Sequence, residues 1–108
     1  MTGPRRPCGV QCHESGHAVV ADACGRRVTS VRVGRTVLDD SFTRVAAPDD
    51  ESEETRILRA GAISIAGYLA HRRARPGERR HALLGAGGDL ARIDPAHLLP
   101  AARLAQSI

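Results

Sequence analysis

Apolar positions recur at spacings of three and four between Val10 and Cys24. Val10, His13, His17, Val20 and Cys24 fall on one face of a helix over about residues 10–24, and Gly25 is well placed to end it. The β-branched run Arg-Val-Thr-Ser-Val-Arg-Val at 27–33 predicts a strand. A second strand is predicted at 42–46, with 34–40 as a loop or hairpin connection. Residues 48–54 are acidic and read as an exposed linker, in which Asp50 and Glu53 have the spacing of a capping box. A long helix should follow over about 52–73. Its stripe is Leu58, Ala62, Ile65 and Leu69, widened by Ile63 and Ala66. Pro76-Gly77 ends it, Gly85, Gly87 and Gly88 predict a flexible turn, and a short helix begins near Asp89. Pro95 interrupts that helix, and a last one covers about 96–106.

This is an α+β pattern, mainly helical with a small hairpin or sheet. At 108 residues it fits one domain over 8–108, preceded by a flexible tail over 1–7. There are no internal repeats. Aromatics are 2% of the chain, only Phe42 and Tyr68, so Ala, Val, Leu and Ile must fill the core. A core of small side chains is expected to give modest stability, which a bound metal would raise.

The net charge is +4, and every basic residue is Arg, since the chain contains no Lys and no Asn. That bias points to coding composition more than to a partner, and no nucleic-acid binding is expected. The apolar runs are too short for a membrane span. No apolar segment follows the basic residues 1–7, so no signal peptide is expected. Three cysteines without such a signal (Cys8, Cys12 and Cys24) argue for a reduced, cytoplasmic setting.

The chemistry-bearing feature is His13-Glu14-Ser15-Gly16-His17, a match to H-E-x-x-H. Positions i and i+4 stack one helical turn apart, so both imidazoles can reach one tetrahedral metal. Glu14 can then reach a water on that metal and act as general base without being a ligand.

The stretch HESGHAVVADACGRRVTSVRV at 13–33 closely resembles the peptidase domain of the FtsH-type ATP-dependent zinc metalloproteases. In that family the metal-binding helix reads HEAGHA, then apolar residues, a Gly and a strand. Residues 57–71 resemble the family's next long helix, with Ala66-Gly67 matching its Ala-Gly segment. Gly87-Gly88-Asp89-Leu90 resembles its Asp-Leu motif. The resemblance implies a zincin-like fold, Zn2+ held by His13, His17 and Asp89, Glu14 as general base, and a substrate-binding strand edge, for which 42–46 is the candidate. Peptides or unfolded proteins are the implied substrates. Three features depart from the family. Its acidic pair after Ala-Gly is replaced by His71 and Arg72. The chain also has no G-x-x-x-x-G-K-[ST] phosphate loop and no membrane anchor, and the helices after the third ligand are short. The chain is therefore not expected to unfold substrates by ATP hydrolysis on its own, and a separate ATPase or oligomeric partner stays open.

Rival readings stay open at this point. Asp89 follows two glycines and suits a helix N-cap as well as a ligand. His71 is a candidate extra ligand or a solvated helix end. His81 and His97 read as surface residues, and Cys24 as a small buried hydrophobe. Cys8 and Cys12 with the two histidines superficially resemble a closed structural site. However, adjacent Cys12 and His13 point about 100° apart on a helix, which disfavours sharing one metal. The Arg72, Arg73, Arg75, Arg79 and Arg80 cluster reads as a solvated, charge-rich loop. The expectation is a zinc endopeptidase, and the alternative is a catalytically inactive, zinc-stabilised interaction or regulatory domain.

Overall fold

The computed structural model describes residues 9–34, 41–46 and 50–108. The expected tail over 1–7, Cys8 and the core of the expected 34–40 connection lie outside them. Among these described residues, five α-helices and two strands occur in the order α1 (Gly9–Ala23), β1 (Val28–Arg32), β2 (Phe42–Val45), α2 (Glu53–Ala74), α3 (Arg79–Gly85), α4 (Gly87–Ala91) and α5 (Pro95–Gln106), with a 3-10 turn over Pro76–Glu78. The architecture is α+β and mainly helical. Among the described residues no helix is long and apolar enough to cross a membrane.

α1 and α2 form the central pair, and α5 also packs on α2. The α1–α2 contact is close because its side chains are small. A Cβ at Gly16 would stand 2.6 Å from the Ala66 carbonyl oxygen and 2.7 Å from the Ala70 Cβ. Only glycine at this position allows the backbones to approach that far. The core of Val20, Cys24, Ala62, Ile65, Ala66, Ile93 and Ala105 lies among these helices. Ala62 and Ile65 are buried as the stripe predicts. Burial pushes the Cys24 thiol up, in keeping with an inert core residue. Val10 departs from the expected buried face: it is 42% exposed, lying in the first turn of α1.

Gly25 ends α1 with φ of 77°, a left-handed conformation that disfavours other residues. β1 then pairs antiparallel with β2 in a two-stranded sheet, with Val31 opposite Thr43 and Arg32 opposite Phe42. A bulge at Thr29 shifts the register, and the Thr29 hydroxyl donates to the Arg44 carbonyl at 3.2 Å.

Local expectations need correction at four places. The cap of α2 is Ser52, whose hydroxyl accepts from the Thr55 N–H at 3.2 Å, rather than the Asp50–Glu53 box. Glu51 is no exposed linker residue: its side chain, 12% accessible, takes Arg26 at 2.9 Å on one oxygen and Arg59 at 3.1 Å on the other. The ion pairs tie the end of α1 to the start of α2. The flexible turn expected at Gly85, Gly87 and Gly88 is taken up by the end of α3 and the start of α4, the latter covering the short helix expected near Asp89, because Ala82 and Ala86 are fully buried and their packing outweighs the glycine propensity. Pro95 starts α5 rather than interrupting a helix. It occupies the first turn, where its missing N–H costs nothing, and the Asp94 side chain caps the helix by accepting from Ala96 N–H at 2.9 Å.

Candidate metal centre

α1 presents His13 and His17 toward α4, His17 also toward α2, and Glu14 toward β2, and all three are buried. Each histidine is only 7% exposed, so neither lies on a solvated helix face. The i, i+4 spacing aligns the rings edge to face, with centroids 4.6 Å apart. Both Nε2 atoms point to one spot, 3.0 Å from each other. Asp89 arrives from α4, and its Oδ2 lies 3.0 Å from each of the two nitrogens. Two nitrogens and one oxygen thus form a nearly equilateral triangle.

This donor set fits a metal ion on three counts. First, a triangle with 3.0 Å edges has its corners about 1.7 Å from its centre. That is less than the roughly 2.0–2.2 Å of a zinc–nitrogen or zinc–carboxylate bond, so an ion above the plane can touch all three and keep a fourth direction open. Second, protons alone satisfy the triangle poorly. If both imidazoles donate to Asp89, two N–H groups face each other across the remaining edge, a conflict that one cation removes. Third, α2 leaves space beside the donors. A Cβ at Gly67 would stand 2.6 Å from His17 Nε2 and 2.8 Å from His13 Nε2. His13, His17 and Asp89 form a cluster that could hold a metal ion.

The same turn of α2 orients one ring. His17 Nδ1 donates to the Ile63 carbonyl at 2.5 Å. That bond puts the proton of the neutral ring on Nδ1 and leaves the Nε2 lone pair for the cluster. A backbone carbonyl therefore does for His17 what an acidic side chain does in many metal sites. His71 and Arg72, where the resembling family has its acidic pair, are not needed for it.

Electrostatics bind the cluster together. Burial works against an ionised Asp89, but the hydrogen bonds and charges of His13 and His17 outweigh it and hold the carboxyl far below the usual range. Burial likewise disfavours protonated His17. The Asp89 hydrogen bond, the Ile63 carbonyl and the charges of Asp89 and Glu14 overcome it, so the pKa is raised above 6.5. Protons and a metal ion thus compete for His17 Nε2.

Glu14 lines the same cavity, of about 330 Å³, with His13, His17, Asp89, Phe42, Thr43 and Arg92 among its walls. Thr43 on β2 donates its hydroxyl to Glu14 Oε1 at 2.7 Å and lies 3.0 Å from the Glu14 backbone oxygen. This fixes the carboxylate and joins the sheet to α1. Neither Thr43 nor the Ile63 carbonyl stood out in the sequence. Thr43 was visible only as part of a predicted strand, and a backbone carbonyl carries no residue signature.

The rival residues fall elsewhere. Asp89 sits inside α4 and does not cap it; Ala86 holds that position, with no side-chain cap. His71 is buried rather than solvated, but its Nε2 pairs with Glu78 Oε1 at 3.0 Å and it is outside the cluster. Cys12 lines a separate groove between α1, α2 and α5, away from the histidines. His81, His97 and most of the Arg cluster are exposed.

Comparison with protein-family models, with curated proteins and with solved structures finds no match.

Proposed function

We propose that this chain is a zinc-dependent metallopeptidase domain of the FtsH type, zincin-like in its arrangement and acting on peptides or unfolded protein. The reading is carried by one observation: Glu14 faces the cavity in which His13, His17 and Asp89 converge. His13, His17 and Asp89 would hold the ion. Zinc there supplies Lewis acidity toward a carbonyl group and toward water.

The remaining steps belong to the chain's own residues. Glu14 takes a proton from the attacking water as its oxygen adds to the peptide carbonyl carbon. It then delivers that proton to the nitrogen as the C–N bond breaks, leaving a carboxylate and an amine. Thr43 holds Glu14 Oε1 and keeps the carboxylate aimed during both transfers. Ile63 fixes the tautomer of His17. β2 borders the cavity through Phe42 and Thr43, and among the described residues it pairs with β1 alone. Its other edge suits an extended substrate added by backbone hydrogen bonds.

The Thr43–Glu14 hydrogen bond also favours a second reading. There Glu14 is only a structural acceptor, and the metal staples an interaction domain. Glu14→Gln, assayed for bound zinc and for cleavage of an unfolded protein, separates the two. The peptidase reading expects zinc retained and cleavage reduced at least about a hundredfold. Zinc bound by the wild-type chain with no cleavage at all favours the staple.

A further inference from the structure

We propose that Arg92 selects substrates carrying a carboxylate close to the scissile bond. This inference rests on the peptidase reading and adds a substrate class to it. The cavity around the candidate metal centre contains two acidic walls already in use: Asp89 is engaged by both imidazoles and Glu14 by Thr43. Among the described residues, Arg92 is the one arginine that lines it. Among the described residues its guanidinium makes no ion pair or side-chain hydrogen bond, in contrast to Arg26 and Arg59.

The backbone position of Arg92 is well defined. Its N–H donates to the Asp89 carbonyl at 3.2 Å, and the next residue, Ile93, is buried in the core. The side chain therefore starts from a fixed point one helical turn after Asp89. It reaches a cavity whose other walls are neutral or small: Ser41, Phe42, Ile63, Ser64, Gly85 and Gly88. A planar fork of donors in that setting complements a carboxylate geometrically as well as by charge. An acidic side chain and a free C-terminal carboxylate present the same group.

The test uses zinc-loaded chain and four versions of one peptide, with Glu or Gln beside the scissile bond and with a free or amidated C-terminus. Cleavage is read as kcat/KM. Binding is read separately as Kd on the zinc-loaded Glu14→Gln variant, which keeps the test independent of turnover. The carboxylate-bearing peptide is expected to be preferred by about fivefold, a modest factor because Arg92 is exposed. Preference for Glu over Gln identifies the side-chain source, and preference for acid over amide the terminal one. In Arg92→Gln the ratio should fall to about one, and in Arg92→Glu it should invert. An Arg92 that instead stabilises the transition state would lower kcat for all four peptides alike and leave the ratio intact, overturning the proposal. So would equal cleavage or binding of all four by the wild-type chain, or failure of any to bind. Peptide cleavage without Arg92-dependent selectivity overturns this inference and leaves the peptidase reading standing; selective binding without cleavage does the reverse.

Discussion

The backbone of Gly67 approaches His17 so closely that a Cβ there would stand 2.6 Å from the ring nitrogen facing Asp89. A glycine on α2 thus keeps open the space around donors on α1. Gly67→Ala is expected to displace both imidazoles and weaken zinc binding by at least about tenfold, comparable to losing a group that orients a ligand. Gly77→Ala is the control, since a Cβ there meets nothing within 4 Å. Zinc titration of both variants, with circular dichroism to verify folding, checks this. Equal affinities would mean that the α1–α2 approach is not what shapes the centre.

Thr43 is expected to matter for rate more than for metal. Thr43→Val removes the 2.7 Å hydrogen bond to Glu14 Oε1 while keeping the volume. Cleavage should fall by about tenfold through a mispositioned base, with zinc content unchanged. Thr43→Ser, which keeps the hydroxyl, should recover most of the loss. A kcat effect without a metal effect is the signature to look for.

Chelation should destabilise the whole chain, since the three donors come from α1 and α4, which are distant in sequence. Zinc at a hundred times its Kd adds about 2.7 kcal/mol. For a chain of this size that corresponds to a melting temperature higher by roughly 10–20 °C. Differential scanning calorimetry with and without chelator measures it. The gap should narrow as pH falls, because protons then compete for His17, whose pKa is raised.

The Arg26–Glu51–Arg59 group gives a pH dependence of its own. Above all, the hydrogen bond from Arg26 holds the Glu51 carboxyl below its ordinary 4.5, against the opposing effect of burial. A carboxyl with a depressed folded-state pKa stabilises the fold above its unfolded-state value, and that contribution is lost as pH falls through the folded-state value. Glu51→Gln should therefore lower the melting temperature near pH 7 and make progressively less difference below about pH 4. A wild-type-to-variant gap that is constant from pH 7 to pH 3 would contradict this.

Much of the candidate site was legible in the sequence because its pattern is local. The i, i+4 histidines and the Glu between them need only a helix to become neighbours, and the apolar period of α1 predicts that helix. Asp89 was different: two glycines before it suit a cap as well as a ligand, and only the family resemblance favoured the ligand. Its placement depends on α4 packing against α2 and α3, which brings the side chain to His13 and His17. The sequence pattern predicted a short helix near Asp89, where α4 lies, but not α3, because Gly85, Gly87 and Gly88 signal a turn while the buried Ala82 and Ala86 act through tertiary contact. Glu51 looked like part of a solvated acidic run, since its partners Arg26 and Arg59 lie on other segments. The Ile63 carbonyl, which orients His17, belongs to the backbone and has no signature in any residue pattern.

Anomalous scattering at the zinc edge, from crystals grown with zinc, tests the account most directly. A single strong peak is expected within about 2.2 Å of His13 Nε2, His17 Nε2 and an Asp89 oxygen. A zinc-bound crystal with no peak there, or with its peak held by Cys12 or His71, would contradict it.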